Sequence, residues 1–277
     1  MKRLTKFSLL LLFVGLLTSC SIERRLAQRY VKDTKPGAVL LIAPDFIWKT
    51  SFKVPEMENF DQLEQWEKDS VAFENSSVLK HSADSIYIDA FMSSLKYGLS
   101  VMGYTVYYDN PETFLDSEYK PSHIINFVQM QLEEYYEPIN EEADYDDTTT
   151  AEFEIYVTAI NMNHWLELSE LNNGDDKPDL LFNTHIIYDD LYGEFRYFPL
   201  TGGYIYVYSV DSLNTDKLYL AASNQGLLYA KWIYDYMMND YIIKNMPDGR
   251  LPEYRYSYDM QYRWITKQKF DPFIKMD

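Results

Sequence analysis

The chain is short of cysteine, of histidine and of positive charge, and each shortage removes a class of chemistry. Its 277 residues hold one cysteine, Cys20, so no internal disulfide and no zinc–thiolate cluster can form. The histidines are four, His81, His123, His164 and His185. His164 and Glu167 are three apart on an expected strand and so point to opposite faces. His185 and Asp189 share a face but lie about 13 Å apart along the strand. No G-x-S-x-G, H-E-x-x-H, G-x-G-x-x-G or P-loop sequence occurs. The chain is therefore expected to be no enzyme and to carry no metal and no cofactor. A glycosidase, which needs only two carboxylates brought together by the fold, is the residual alternative. Basic residues number 25 against 43 acidic ones, and a net charge of −18 opposes binding to nucleic acid.

What is present begins with a processed amino terminus. Lys2, Arg3 and Lys6 precede an apolar run from Phe7 to Leu17, which is too short for a spanning helix of about 20 residues. Leu17-Thr18-Ser19-Cys20 then resembles the lipobox of bacterial lipoproteins, and the lone cysteine stands where that motif needs it. The resemblance implies that residues 1–19 are a signal peptide and that Cys20 is the lipidation site. Its thiol would carry a diacylglyceryl thioether and its amino group an acyl chain, and several chains together anchor stably. Ser21 replaces the aspartate that retains some lipoproteins in the inner membrane, and no acidic run follows Cys20. Both features imply the outer membrane and its periplasmic face. An ordinary secretory signal with an incidental cysteine, or a buried amino-terminal helix, is the plainer alternative.

Removal of Lys2, Arg3 and Lys6 leaves 22 basic and 43 acidic residues, a net charge of −21. Against that background Arg24, Arg25, Arg29 and Lys32 form a membrane-proximal basic cluster suited to lipid headgroups. A solvated helix turn explains the same residues. Residues 20–36 are expected to be a lipidated tether, short and helical or irregular, reaching at most about 55 Å when extended.

With 47 % hydrophobic and 17 % aromatic residues, the remainder is globular and large enough for one sizeable core. Residues 37–246 are expected to be a single α/β (α+β) domain with an insertion at 45–83, and 247–277 a tail packed back onto it. Ala38 to Ala43 has the length and branching of a strand buried on both faces. Gln62 to Phe73 suggests a helix with Leu63, Trp66 and Val71 inward. Ile88, Phe91, Met92, Leu95, Leu99 and Met102 form a helical stripe, with Ser82, Asp84 or Ser85 to cap it and Gly103 to end it. Tyr104 to Tyr108 follows as a strand, and Asn110-Pro111-Glu112 opens a short helix.

Beyond it, Ile124, Val128, Met130 and Leu132 alternate with Gln129, Gln131 and Glu133 in a half-buried strand. Glu141 to Thr150 is expected to be an acidic loop, with Glu141, Glu142, Asp144, Asp146 and Asp147 as weak calcium donors. Phe153, Ile155, Val157 and Ala159 share one parity while Met162, Leu166 and Leu168 share the other. This predicts a bulge or turn near Ile160 to Asn163. Leu180 to Tyr188, Gly203 to Ser209 and Lys217 to Ala222 are expected strands, and Gln225 to Asn245 is an expected helix. The sum is a mixed, mostly antiparallel sheet with helices packed on it.

That order resembles the periplasmic domain shared by the curli-secretion lipoprotein, the amino-terminal domain of the Tol-system propeller protein and lipoprotein activators of penicillin-binding proteins. The strand Val39 to Pro44, the Gly103-Tyr104-Thr105-Val106 strand and the segment Tyr206 to Leu220 carry the likeness, which spans residues 37–245. Uncharacterised lipoprotein families of Gram-negative bacteria are similar too. The resemblance implies an adaptor or assembly factor for envelope machinery, bound to the membrane by its acyl chains and to an envelope protein partner. The alternative is a surface glycan-binding lipoprotein using exposed aromatic side chains, since Tyr204, Tyr206 and Tyr208 form a one-sided ladder. An oligomeric pore is disfavoured, because it needs long strands with a lipid-facing band.

Overall fold

The computed structural model describes residues 21–33, 37–55, 57, 59–118, 122–146, 149–171, 177–200 and 202–276. Its helices are α1 (Ile22–Asp33), α2 (Gln65–Glu74), α3 (Asp84–Val101), α4 (Pro111–Leu115) and α5 (Thr215–Lys244). Its strands are β1 (Ala38–Ile42), β2 (Trp48–Ser51), β3 (Thr105–Tyr108), β4 (Ser122–Asp146), β5 (Thr149–Glu170), β6 (Asp179–Tyr188), β7 (Asp190–Phe198), β8 (Gly203–Asp211), β9 (Tyr256–Asp259), β10 (Trp264–Lys267) and β11 (Ile274–Met276). The main sheet runs β11-β6-β5-β4-β1-β3, with β2 pairing β4 beyond the end of β1. β1 is parallel to β3 and β4, β2 is parallel to β4, and the long β4–β5–β6 pairings are antiparallel. The fold is α/β, with a mixed, mostly antiparallel sheet and helices packed on it.

Local signals explain the elements nearest the core. β1 has no polar side chain and is buried on both faces: Val39 and Leu41 enter the main core, Ala38 and Leu40 meet Phe114 of α4. The α3 stripe is buried from Ile88 to Leu99, and Gly103 at φ 96° closes the helix. There the Tyr104 N–H reaches the Leu99 carbonyl at 3.1 Å and the Gly103 N–H reaches Ser100 at 2.9 Å. None of the expected residues caps its start. Asp84 instead accepts from the Ile47 N–H and pairs with Lys49, tying the 45–83 segment to the helix. In α4, Asn110 accepts from the Thr113 N–H at 3.2 Å, as its Asn-Pro start requires.

Several expectations are corrected. Trp66 of α2 is exposed, and the helix buries only Ala72. Lys217 to Ala222 is no strand but the opening of α5, which Asn214 caps by accepting from the Lys217 N–H. Leu218, Ala222, Gln225 and Tyr229 recur at three- and four-residue spacing, and the helix begins at Thr215, ten residues earlier than expected. β8 pairs with β7 instead. α5 crosses α3 so closely that a Cβ on Gly226 would stand 2.2 Å from the Phe91 carbonyl oxygen, and one on Gly98 2.5 Å from the Ala230 Cβ.

The strand pair β4–β5 carries the largest correction. The bulge lies in β4, at Val128, between Phe127↔Leu166 and Gln129↔Trp165. It moves core-facing parity from Ile125 and Phe127 to Met130 and Leu132, so Ile124 and Val128 do not share the face of Met130. β5 itself is regular throughout its pairing with β6. Its change of parity has a different cause: Ile160, Met162, Leu166 and Leu168 lie in the helix-covered core, whereas Phe153 meets the β7–β8 hairpin on the other side. One straight strand is covered on opposite faces along its two halves. The acidic segment is likewise no loop, since 141–146 and 149–150 continue the two strands outward.

The amino-terminal segment is no free tether. α1 buries Glu23, Leu26, Ala27 and Tyr30 against the domain, Tyr30 packing at 5.5 Å from Tyr234 and 5.4 Å from Tyr241 of α5. Residues 256–276 also return to the domain, with Tyr256 and Phe273 buried and β11 pairing β6.

Candidate functional site

Beyond Glu134 the β4–β5 pair leaves the helices and projects as an arm. Thirteen residues, Glu134 to Asp146, extend it by roughly 40 Å. Two polar clamps hold its base, and both use Thr158. On one side Lys53 Nζ donates to Glu134 Oε1 (2.7 Å), Ser77 Oγ (2.8 Å) and Thr158 Oγ1 (2.9 Å). Glu134 also accepts from the Ser76 hydroxyl at 2.5 Å and from the Ser77, Val78 and Leu79 N–H groups. Burial pushes its pKa up, but the hydrogen bonds from Lys53, Ser76, Leu79 and Ser77 outweigh it and hold the carboxyl at about 2. On the other side Asp189 accepts from the Thr158 N–H at 2.7 Å and the Leu213 N–H at 2.5 Å, fixing the points where β7 leaves and α5 begins.

The arm is acidic and aromatic. Glu142 lies directly opposite Glu152, an unfavourable cross-strand pair, and Tyr136 and Tyr156 are exposed. The tyrosine ladder turns inward: Tyr206 stacks on Phe153 at 4.4 Å, and Tyr204 meets Tyr197 edge-on. The Tyr206 ring lies across Gly193, where a Cβ would come within 2.4 Å of it. Tyr208 stays half exposed, while Tyr192 and Ile205 present the hairpin's other face. Tyr204 and Tyr206 thus serve packing first. With charged side chains at the arm's exposed positions 137, 141, 142, 152 and 154, no lipid-facing band is formed there.

Of the four histidines, His81 and His185 are exposed, His123 is half-buried and His164 is buried. His164 is sealed in the core between Tyr87 and Tyr229, and one assignment of protons satisfies the whole chain. The Tyr87 hydroxyl donates to Nε2, Nδ1–H donates to Tyr229, and Tyr229 donates to Asn183 Oδ1 at 3.1 Å. Burial, with His185 adding a small contribution, pushes the His164 pKa down to about 3, so the ring is neutral. His123 lines a polar hollow of about 260 Å³ with Glu170, Asp179, Asp240, Lys244 and Lys275, its Nδ1 buried without a hydrogen bond. No group of three or more His, Cys, Asp or Glu able to hold a metal occurs among the described residues. The calcium expectation falls partly on residues 144–147, whose side chains lie outside the description.

The opposite end of α5 carries the basic cluster. With Glu23, Leu26, Ala27 and Tyr30 buried, Arg24, Arg25, Arg29 and Lys32 face outward together, as helical spacing dictates. Cys20 lies outside the described residues, but the next residue is fixed: Ser21 Oγ lies 2.7 Å from the Tyr256 hydroxyl. A third surface is assembled only by the fold. Away from α4, the second sheet face carries a run of amides in which Gln131 donates to Glu133 at 3.0 Å and Asn163 to the same carboxylate at 3.0 Å. Exposed Trp48, paired with Gln131, flanks it with Phe46, and Trp165 packs at a tilt against Phe182 beyond it. Strand alternation at Gln129, Gln131 and Glu133 signalled the polar side, but the aromatic flank from β2 required the fold.

No protein-family model matches this chain, and no curated protein matches it. No described helix is long and apolar enough to cross a membrane.

Proposed function

We propose that the chain is a non-enzymatic lipoprotein of the outer membrane, facing the periplasm, that acts as an adaptor or assembly factor for envelope machinery. The observation that carries this reading is the placement of α1. Acyl chains on Cys20 would enter the bilayer one residue from Ser21, which is hydrogen-bonded to the domain. The domain would then lie directly on its membrane. α1 packs on the carboxyl-terminal half of α5, and the arm leaves beside Leu213, at the other end of a helix about 45 Å long. The geometry suits a membrane-seated base presenting an acidic, aromatic arm to a protein partner.

Two measurements test it. Mass spectrometry of the mature amino terminus should find Cys20 acylated; an unmodified soluble product contradicts the reading. A photo-crosslinking residue at Tyr156 should repeatedly capture one envelope protein that the same residue at Lys96, on α3, does not. Failure to recover an envelope partner from Tyr156 contradicts the adaptor role.

The second reading, a surface glycan-binding lipoprotein, is favoured by the amide-lined sheet face and its Trp48 flank. Protease treatment of whole cells separates the two. Protection supports the periplasmic adaptor and digestion supports the surface binder, whose glycan affinity Trp48→Ala should abolish.

A further inference from the structure

We propose that the groove between α1 and the β9–β10 hairpin is a binding site for the headgroups of anionic phospholipids. The orientation this gives the domain rests on the lipoprotein reading of Cys20; the binding chemistry does not.

Three independent features meet there. The first is charge. α1 turns Arg24, Arg25, Arg29 and Lys32 outward in a chain of net charge −18. No ion pair among the described residues engages these four or Arg263, whereas Lys49, Lys217, Lys231, Lys244 and Lys275 each meet a carboxylate. Three acids of the adjoining segments are engaged elsewhere: Glu23 is buried on the Glu253 N–H and the Tyr256 hydroxyl, Asp259 accepts from the Tyr262 N–H, and Asp271 pairs with Arg255. The second feature is shape. A hollow of about 670 Å³ opens between helix and hairpin, where Arg24, Lys32 and Arg263 surround an apolar floor that includes Met260, Trp264 and Ile265. Phosphate on cations above an apolar floor is the arrangement a headgroup and its upper acyl carbons require.

The third feature is backbone strain at the hairpin tip. Arg263 is held at φ 54°, a conformation that glycine adopts more easily. Its neighbours Tyr262 and Trp264 are 59 % and 65 % exposed, as interfacial aromatics are. The turn sets this backbone, and it leaves the exposed Arg263 side chain between two exposed aromatics at the hollow it lines.

The test uses the chain from Ser21 onward, which contains every described core residue and no acyl chain. It should co-sediment with phosphatidylglycerol vesicles and not with phosphatidylcholine vesicles, and added salt should weaken the binding. Neutralising Arg24, Arg25, Arg29 and Lys32 together to Gln should lower the partition coefficient by several hundred-fold, about fivefold per charge. Lys96→Gln, on α3, should change nothing. Arg263→Gly should lose about fivefold in binding while its unfolding midpoint stays level or rises, which a merely structural role for Arg263 cannot give. Equal binding to both vesicle types, no binding to phosphatidylglycerol, or indifference to the four neutralisations overturns the proposal. Binding to anionic vesicles by a chain whose natural Cys20 proves unmodified would remove the lipoprotein reading alone. An acylated Cys20 with no headgroup preference would remove this proposal alone.

Discussion

The two halves of β5 share one regular alternation but not one environment. Towards β6 and the helices, Met162, His164, Leu166 and Leu168 are buried, and even the single polar member is satisfied within a chain of hydrogen bonds. Past Thr158 the pairing continues, but the helices have ended and only the two-stranded β7–β8 hairpin covers one side. A strand can therefore alternate correctly along its whole length and still change its buried face, because what packs on it changes. The core half gains its stability from apolar burial. The arm half depends on aromatic contacts and on the polar clamps at its root, which leaves its side chains available to a partner.

The sharpest way to break the comparison is to remove the clamp. Lys53→Ala leaves Glu134 buried without its counter-ion and should cost about 3–5 kcal/mol, read from the urea midpoint. A loss below about 1 kcal/mol would mean that Glu134 is hydrated and the junction is loose.

Acid should act next, and its sign follows from two depressed pKa values. His164 stays neutral in the folded chain down to about 3, whereas an unfolded histidine titrates near 6.5. The unfolded state binds the extra proton, so this contribution is complete above the unfolded value and is lost as pH falls towards 3. Glu134 behaves alike at lower pH: its contribution is complete above the ordinary carboxylate range and is lost as the pH falls towards about 2. His164→Gln should therefore remove about 2 kcal/mol of the stability lost between about pH 8 and 5, measured by denaturation at each pH. An unchanged pH slope would place solvent beside His164.

Asp189→Ala frees the Thr158 and Leu213 N–H groups and should cost about 1–3 kcal/mol. Amide exchange should then rise at both positions. The smallest effect belongs to Phe153→Ala, at about 1 kcal/mol, confined to the arm. Exchange in β7 and β8 should rise while α5 is unchanged; a matching rise in α5 would join arm and core into one unit.

The elements legible in the sequence were those whose causes are local. The α3 stripe, the Gly103 stop, the Asn110-Pro111 start and the apolar β1 run each lie within a few residues of what they determine. The opening of α5 reads as a strand because Leu218 and Leu220 alternate, and only Ala222, Gln225 and Tyr229 reveal the helical period. β7 is not legible in the sequence, because apolar alternation is interrupted around Gly193, Glu194 and Arg196. The clamps could not be read at all: Lys53 and Thr158 are 105 residues apart, and nothing near either predicts the other. Among the site residues, the outward face of α1 was legible from helical spacing, whereas its partner Arg263 came from a hairpin brought back by tertiary packing.

Native-state hydrogen exchange along β5 tests the central division most directly. Amides from 160 to 168 that bond to neighbouring strands should exchange only near the global unfolding free energy, and those from 150 to 157 at a much smaller one, with the step at Thr158. Uniform protection along the whole strand would contradict the division of one strand pair into a core and an arm.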